Sequence, residues 1–199
     1  MIKNIFSSFL NEVKSKSLRP LGALKSKFKK IGIVGSGLMG HGIAYVSSYY
    51  GFKVVLIDNS KENVLTAFSK IEKMFKTEIR QNLFSNSQME KCLENIKVST
   101  DVSDLKGCDL VIEAVYEDTA LKRDVTIAAE KIMKSSGVFS SNTSTIPISK
   151  LATVSVRPEN FIGIHFFSPV HKMKLVEIIK NDKTSSNTLA RTLDFVNAI

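Results

Sequence analysis

His165 and Glu177 each interrupt an otherwise apolar run, Phe161-Ile-Gly-Ile-His-Phe-Phe167 and Leu175-Val-Glu-Ile-Ile179. Both runs read as short buried strands, where an imidazole or a carboxylate is expensive to desolvate unless a polar group partners it. The simplest partners are these two residues. A histidine whose second ring nitrogen is held by a carboxylate suits a general base that takes a proton near neutral pH. The pair points to proton abstraction, and so to an enzyme.

A second constellation lies nearer the N-terminus. Gly35-Ser-Gly-Leu-Met-Gly40 matches G-x-G-x-x-G, follows the β-branched run Lys30–Val34 and opens a segment of helical spacing from Leu38 to Tyr50. Asp58 closes the next apolar run, Lys53–Ile57, 23 residues after Gly35. Strand, glycine turn, helix, strand and acidic residue in this order form a dinucleotide fingerprint. Gly35 permits the tight turn, Gly37 lets backbone N–H groups approach a pyrophosphate, and Gly40 lets the helix pack closely on the sheet. The helix N-terminus faces the phosphates. Ser36, Leu38 and Met39 complete the expected contacts. Asp58 would accept hydrogen bonds from the adenosine ribose hydroxyls and repel a 2′-phosphate, which favours NAD over NADP.

The elements that must position these groups alternate along the chain. Asn59–Gln81 and Ser87–Asn95 read as helices, an unusually long excursion before a strand near Ile96–Val98. Strands follow at Leu110–Ile112 and Val138–Ser140, separated by a helix over Thr119–Lys134, and a last helix is expected over Ser186–Ile199. This alternation predicts an α/β fold: a Rossmann-like, doubly wound, mostly parallel sheet with helices on both faces. Ligands of such sheets sit beyond the carboxyl ends of the strands. Glu113 and Glu117, Ser141–Ser144 and His165–Ser168 all fall at such ends, so they are expected to converge on one cleft.

Composition narrows the function classes. The formal charge of +9 is concentrated in residues 1–30, where eight Lys/Arg against one Glu give +7 and leave +2 for the remainder. A nucleic-acid reading, which needs a basic stripe on a folded surface, loses its support. Cys92 and Cys108 fit neither a disulfide framework nor a C-x-x-C metal or redox spacing, so no metal site and a reducing, intracellular compartment are expected. No window approaches the roughly 18 apolar residues of a membrane span. The expected organisation is a basic leader or interdomain linker over 1–29 and a cofactor-binding domain over 30–199. Ile2, Ile5, Phe6, Phe9, Leu10 and Val13 fall at helical spacing in a basic, hydroxyl-rich context. That pattern suits either an organelle-targeting peptide or a linker ending around Leu18–Ala23.

Four segments in order, GSGLMGHGIA, DLVIEAVYED, SNTSTIPIS and HFFSPVHKMKLVEII, resemble the NAD-binding domain of L-3-hydroxyacyl-CoA dehydrogenases, over about Lys30 to Ile199. The resemblance implies oxidation of (S)-3-hydroxyacyl-CoA to 3-ketoacyl-CoA in fatty-acid β-oxidation, in bacterial cytoplasm or mitochondrial matrix. It makes His165 the catalytic base, Glu177 its partner carboxylate and Ser144 a contact to the substrate oxygen near C3. Glu117 and Lys122 match positions touching the cofactor on the nicotinamide side, and Asn142 lies near that ring. Ser168 stands where many family members have Asn. Serine is the form associated with large multifunctional subunits, whose linker Phe9–Lys14 also resembles, and it offers one hydroxyl in place of an amide.

The family continues into a helical domain that closes the substrate cleft and commonly mediates dimerisation. The chain is therefore expected to be a fragment, with an acyl-CoA substrate, that helical domain and a homodimer or multifunctional complex as its partners. His41 and His171 read as non-catalytic, the methionines as packing residues, and Lys70, Lys73 and Lys76 as a solvated helix face. Two rival readings are a β-hydroxyacid dehydrogenase, against which the His165/Glu177 pair speaks, and a non-catalytic NAD(H)-binding protein on the same scaffold.

Overall fold

The computed structural model describes residues 19, 20, 22, 23 and 28–199. The helical spacing of Ile2–Val13 and the linker resemblance of Phe9–Lys14 lie outside the described residues. Seven strands form one sheet in the order β3-β2-β1-β4-β5-β6-β7. They are β1 (Lys30–Val34), β2 (Lys53–Ile57), β3 (Ile96–Ser99), β4 (Leu110–Glu113), β5 (Val138–Ser141), β6 (Phe161–Phe166) and β7 (Val176–Lys180). The first six are parallel, and β7 runs antiparallel to β6. The doubly wound sheet expected from the alternation is present. Its direction of growth reverses at β1 and β4, where such sheets open a crevice at their carboxyl ends.

Successive strand residues point to opposite faces, and here both faces are apolar. Ile31, Ile33, Val54, Leu56, Leu110 and Ile112 pack under α1 (Leu38–Tyr49), α2 (Lys61–Arg80) and α6 (Ser186–Val196). Val34, Val55, Ile57, Val111 and Phe139 pack on the other face against α4 (Thr119–Ile132) and the short α5 (Ile148–Leu151). The excursion after β2 is α2 followed by α3 (Asn86–Glu94), anchored where Phe75 meets Tyr45 at 4.5 Å and Phe84 at 5.4 Å between ring centres. Helix starts follow from local chemistry. Ser60, Asp118 and Ser185 each accept a first-turn N–H, and Ser85 with Gln88 forms a reciprocal capping box. Before β1, Phe28 is buried against Phe195, and Arg19 pairs with Asp194 of α6 at 2.8 Å.

One expectation is corrected. The run Leu175–Ile179 is not a buried strand: β7 is an antiparallel edge, with Val176 and Ile178 half-buried and Leu175, Glu177 and Ile179 exposed. An unbroken apolar run signals burial on both faces only for an interior strand, and β7 is bonded on one side alone. Glu177 is accordingly a half-exposed carboxylate, its side chain 51% accessible.

Candidate active site

At the carboxyl end of β1 the chain turns through Gly35, whose φ of +99° belongs to glycine and whose added Cβ would lie 2.5 Å from the Ala114 carbonyl oxygen. Gly40 answers a different contact from the one expected. A Cβ there would stand 1.8 Å from the Gly35 carbonyl oxygen but 3.6 Å from Ile33, so the close approach is of α1 to the glycine turn rather than to the sheet. Gly37 heads α1 with no side-chain cap, and a Cβ there would meet nothing within 4 Å. Open space over uncapped N–H groups fits a phosphate-bearing ligand. Leu38 is exposed beside it, and Met39 lines the neighbouring cleft.

Asp58, at the end of β2, has both carboxylate oxygens engaged. Oδ2 accepts from Ser36 N and Ser36 Oγ, each at 2.8 Å, and Oδ1 accepts from Asn63 Nδ2 at 3.0 Å. Burial pushes this carboxyl up, but the hydrogen bonds from Asn63 and Ser36 outweigh it and hold it below its usual range.

The ends of β4, β5 and β6 meet in a cleft of about 280 Å³ that brings Glu117, Lys122, Asn142, Ser144, His165 and Ser168 together. The expected convergence holds for Glu117, Asn142, Ser144, His165 and Ser168, whereas Glu113 and Ser141, expected there too, are buried and do not line the cleft. His165 Nδ1 lies 2.8 Å from Glu177 Oε2, across a register in which the two residues are direct partners on β6 and β7. A carboxylate can only accept, so in the neutral ring Nδ1 carries the proton and Nε2 is an acceptor. The His165 side chain is 16% accessible, dry enough to be oriented and open enough to be reached. Asn142 Oδ1 accepts from Phe166 N at 2.8 Å, tying the end of β5 to β6 beside the histidine.

Beneath the cleft lies a network whose centre was missed as a site residue from the sequence. Glu113 and Lys122 are buried, with side chains 1% and 2% accessible, and pair at 2.7 Å. Glu113 also accepts from Ser141 Oγ at 2.6 Å and from Val115 N at 2.8 Å. Lys122 reaches Glu117 at 3.1 Å. Glu117 in turn accepts from Thr143 Oγ1, from Ser144 N and Thr145 N at 3.2 Å, and from Thr145 Oγ1 at 3.0 Å. Burial raises its carboxyl, but the Thr143 hydroxyl and the Lys122 ammonium pull it down to about 2. The one sequence signal for Glu113 was a carboxylate ending the apolar run Leu-Val-Ile.

The other histidines do not line this cleft. His41 Nδ1 lies 2.6 Å from the Gly37 carbonyl oxygen in the first turn of α1, and His171 sits edge-on to Tyr45. Among the described residues no cluster suits a metal ion, and no helix is long and apolar enough to cross a membrane.

Residues 30–199 match the family model for the 3-hydroxyacyl-CoA dehydrogenase NAD binding domain. Among solved structures, the chain is 36% identical to (S)-3-hydroxybutyryl-CoA dehydrogenase PaaH1 from Ralstonia eutropha, with a TM-score of 0.84 over 86% of this chain and 61% of that one. FadB2 of M. tuberculosis is 31% identical, with a TM-score of 0.85 over 87% of this chain and 61% of that one. The dehydrogenase part of multifunctional enzyme 1 from C. elegans is 29% identical, with a TM-score of 0.80 over 91% and 42%. The chain thus spans about three-fifths of the length of the first two relatives. The glycine turn, the open position at Gly37 and the carboxylate of Asp58 at the end of β2 fit NAD, the cofactor of this domain. The chain belongs to the 3-hydroxyacyl-CoA dehydrogenase family, whose NAD binding domain it carries.

Proposed function

We propose that residues 30–199 form the cofactor-binding and proton-accepting part of an enzyme that oxidises (S)-3-hydroxyacyl-CoA to 3-ketoacyl-CoA. The observation that carries this reading is the His165–Glu177 pair at 2.8 Å, in the same cleft as the ends of three parallel strands. NAD, when bound, supplies the hydride acceptor. His165 Nε2 accepts the proton of the 3-hydroxyl while Nδ1–H stays donated to Glu177, whose carboxylate steadies the imidazolium that results. Ser144 and Ser168, which line the same cleft, present hydroxyls to the substrate oxygen. Asn142 holds the β6 backbone next to His165, and the Glu113–Lys122–Glu117 network holds the 143–145 turn that carries Ser144.

Asp58 is proposed to select NAD over NADP. Acyl-CoA as substrate is a proposal drawn from the relatives, and a helical domain that completes the cleft is one drawn from the family resemblance; the chain spans 61% of each of the first two relatives. The test is acetoacetyl-CoA-dependent oxidation of NADH, followed by absorbance with NADPH as control. His165→Gln should lower turnover by about 10²–10⁴-fold while leaving NADH affinity nearly intact. Equal loss of both would make the residue structural and remove the support for this reading.

A further inference from the structure

Asp58 is held in an unusual electrical setting. Its carboxylate accepts from Ser36 N and Oγ at 2.8 Å, from Asn63 Nδ2 at 3.0 Å and from Ser60 N at 3.4 Å. Every one of these donors is neutral. Among the described residues no lysine or arginine forms an ion pair with Asp58. The group is therefore pinned at both oxygens yet keeps its full negative charge. Neutral dipoles orient a carboxylate without cancelling its field, whereas a guanidinium in the same place would do both.

The four donors divide by origin. Ser36 is buried within the glycine turn and engages Oδ2. Asn63 is exposed in the first turn of α2, where its own N–H donates to the cap residue Ser60, and its side chain engages Oδ1. Among the described residues, Asn63 is the one side chain outside the glycine turn that fixes the carboxylate. Removing that donor leaves Oδ1 with only the long bond from Ser60 N at 3.4 Å, so the carboxylate can turn about the oxygen that Ser36 grips.

We infer that Asn63 is a specificity-determining residue, a neutral positioning donor that keeps Asp58 both oriented and uncompensated and so sustains discrimination against a 2′-phosphorylated dinucleotide. This rests on the reading of Asp58 as the ribose acceptor. Two substitutions separate orientation from charge. Asn63→Ala removes the donor and adds no charge, and Asn63→Arg supplies a cation that cancels the carboxylate and can itself bind a phosphate. Asn63 is exposed at a helix start capped by Ser60, so both variants should fold.

The experiment is fluorescence titration of the 199-residue chain and its variants with NADH and with NADPH, each giving a Kd. The ratio of the two is the readout, since a merely structural role would weaken both dinucleotides alike. For the unmodified chain NADH should bind more tightly. Asn63→Ala should shrink the preference by about fivefold, the worth of one hydrogen bond. Asn63→Arg should shift it towards NADPH by at least about tenfold. Unchanged ratios in both variants, with the parent still selective, would overturn the role of Asn63 while sparing Asp58. A parent chain that binds both dinucleotides equally would overturn the reading of Asp58, and the inference with it.

Discussion

At the scale of single residues, the site depends on which atom is held and which is left free. Glu177 occupies His165 Nδ1 and so leaves Nε2 to accept a proton. Glu177→Gln keeps the size but replaces the fixed acceptor with an amide that also donates, so turnover should fall, by less than in His165→Gln. A parallel determination of the NADH Kd separates this from damage to the fold. Glu117 makes a different prediction. Its folded carboxyl is pulled to about 2 from an ordinary 4.5. A depressed carboxylate contributes stability that is fully present above its unfolded value and lost as pH falls through the folded one. Urea unfolding at a series of pH values should therefore show stability declining from about pH 4.5 towards 2. In Glu117→Gln that decline should be shallower.

At the scale of elements, three glycines in one turn have separable duties. Gly40→Ala puts a methyl group 1.8 Å from the Gly35 carbonyl oxygen, so α1 must move off the turn. A loss of about 1–3 kcal/mol in denaturant unfolding is expected. Gly37→Ala meets no protein atom within 4 Å, so it should leave stability nearly unchanged while weakening NADH binding. The end of β4 is tied to α4 by the Glu113–Lys122 pair. Removing one partner of a buried pair typically costs about 3–5 kcal/mol. Lys122→Met should fall in that range by urea unfolding, and adding Glu113→Gln should recover part of the loss. The exposed Glu72–Lys76 pair on α2, by contrast, is worth under about 0.5 kcal/mol.

At the scale of the molecule, cofactor binding and folding are linked. A ligand that binds only the native state stabilises it by about 2.7 kcal/mol at a hundredfold excess over Kd. For a domain of this size that raises Tm by about 5–10 °C. Differential scanning of the chain with NADH should show a rise of that order, and NADPH at the same concentration should give a smaller one. The exposed side of β7, with Leu175 and Ile179, also belongs to this scale, because its apolar character concerns surfaces that the sheet alone does not cover.

Much of this was legible along the chain because its causes are local. The glycine turn, the apolar strands and the helix starts depend on neighbours a few residues away, and they appear within a residue or two of where the spacing puts them. The partnership of His165 and Glu177 was legible too, although burial supplies the reason for His165 alone, since Glu177 stands on an exposed edge. The register that makes them direct cross-strand partners is a matter of pairing between strands, as is the half-exposure of Glu177 on an edge. Glu113 shows the same limit. Its partners Lys122 and Ser141 come from α4 and β5, and only the return of α4 over the sheet and the parallel pairing of β4 with β5 place them around one carboxylate. Asn63 escaped notice for a related reason: a polar residue in the first turn of a helix is ordinary, and its hydrogen bond to Asp58 exists because α2 starts directly above the end of β2. Local propensity writes the elements into the chain, whereas contacts between elements depend on how the sheet is ordered and on what each edge leaves uncovered.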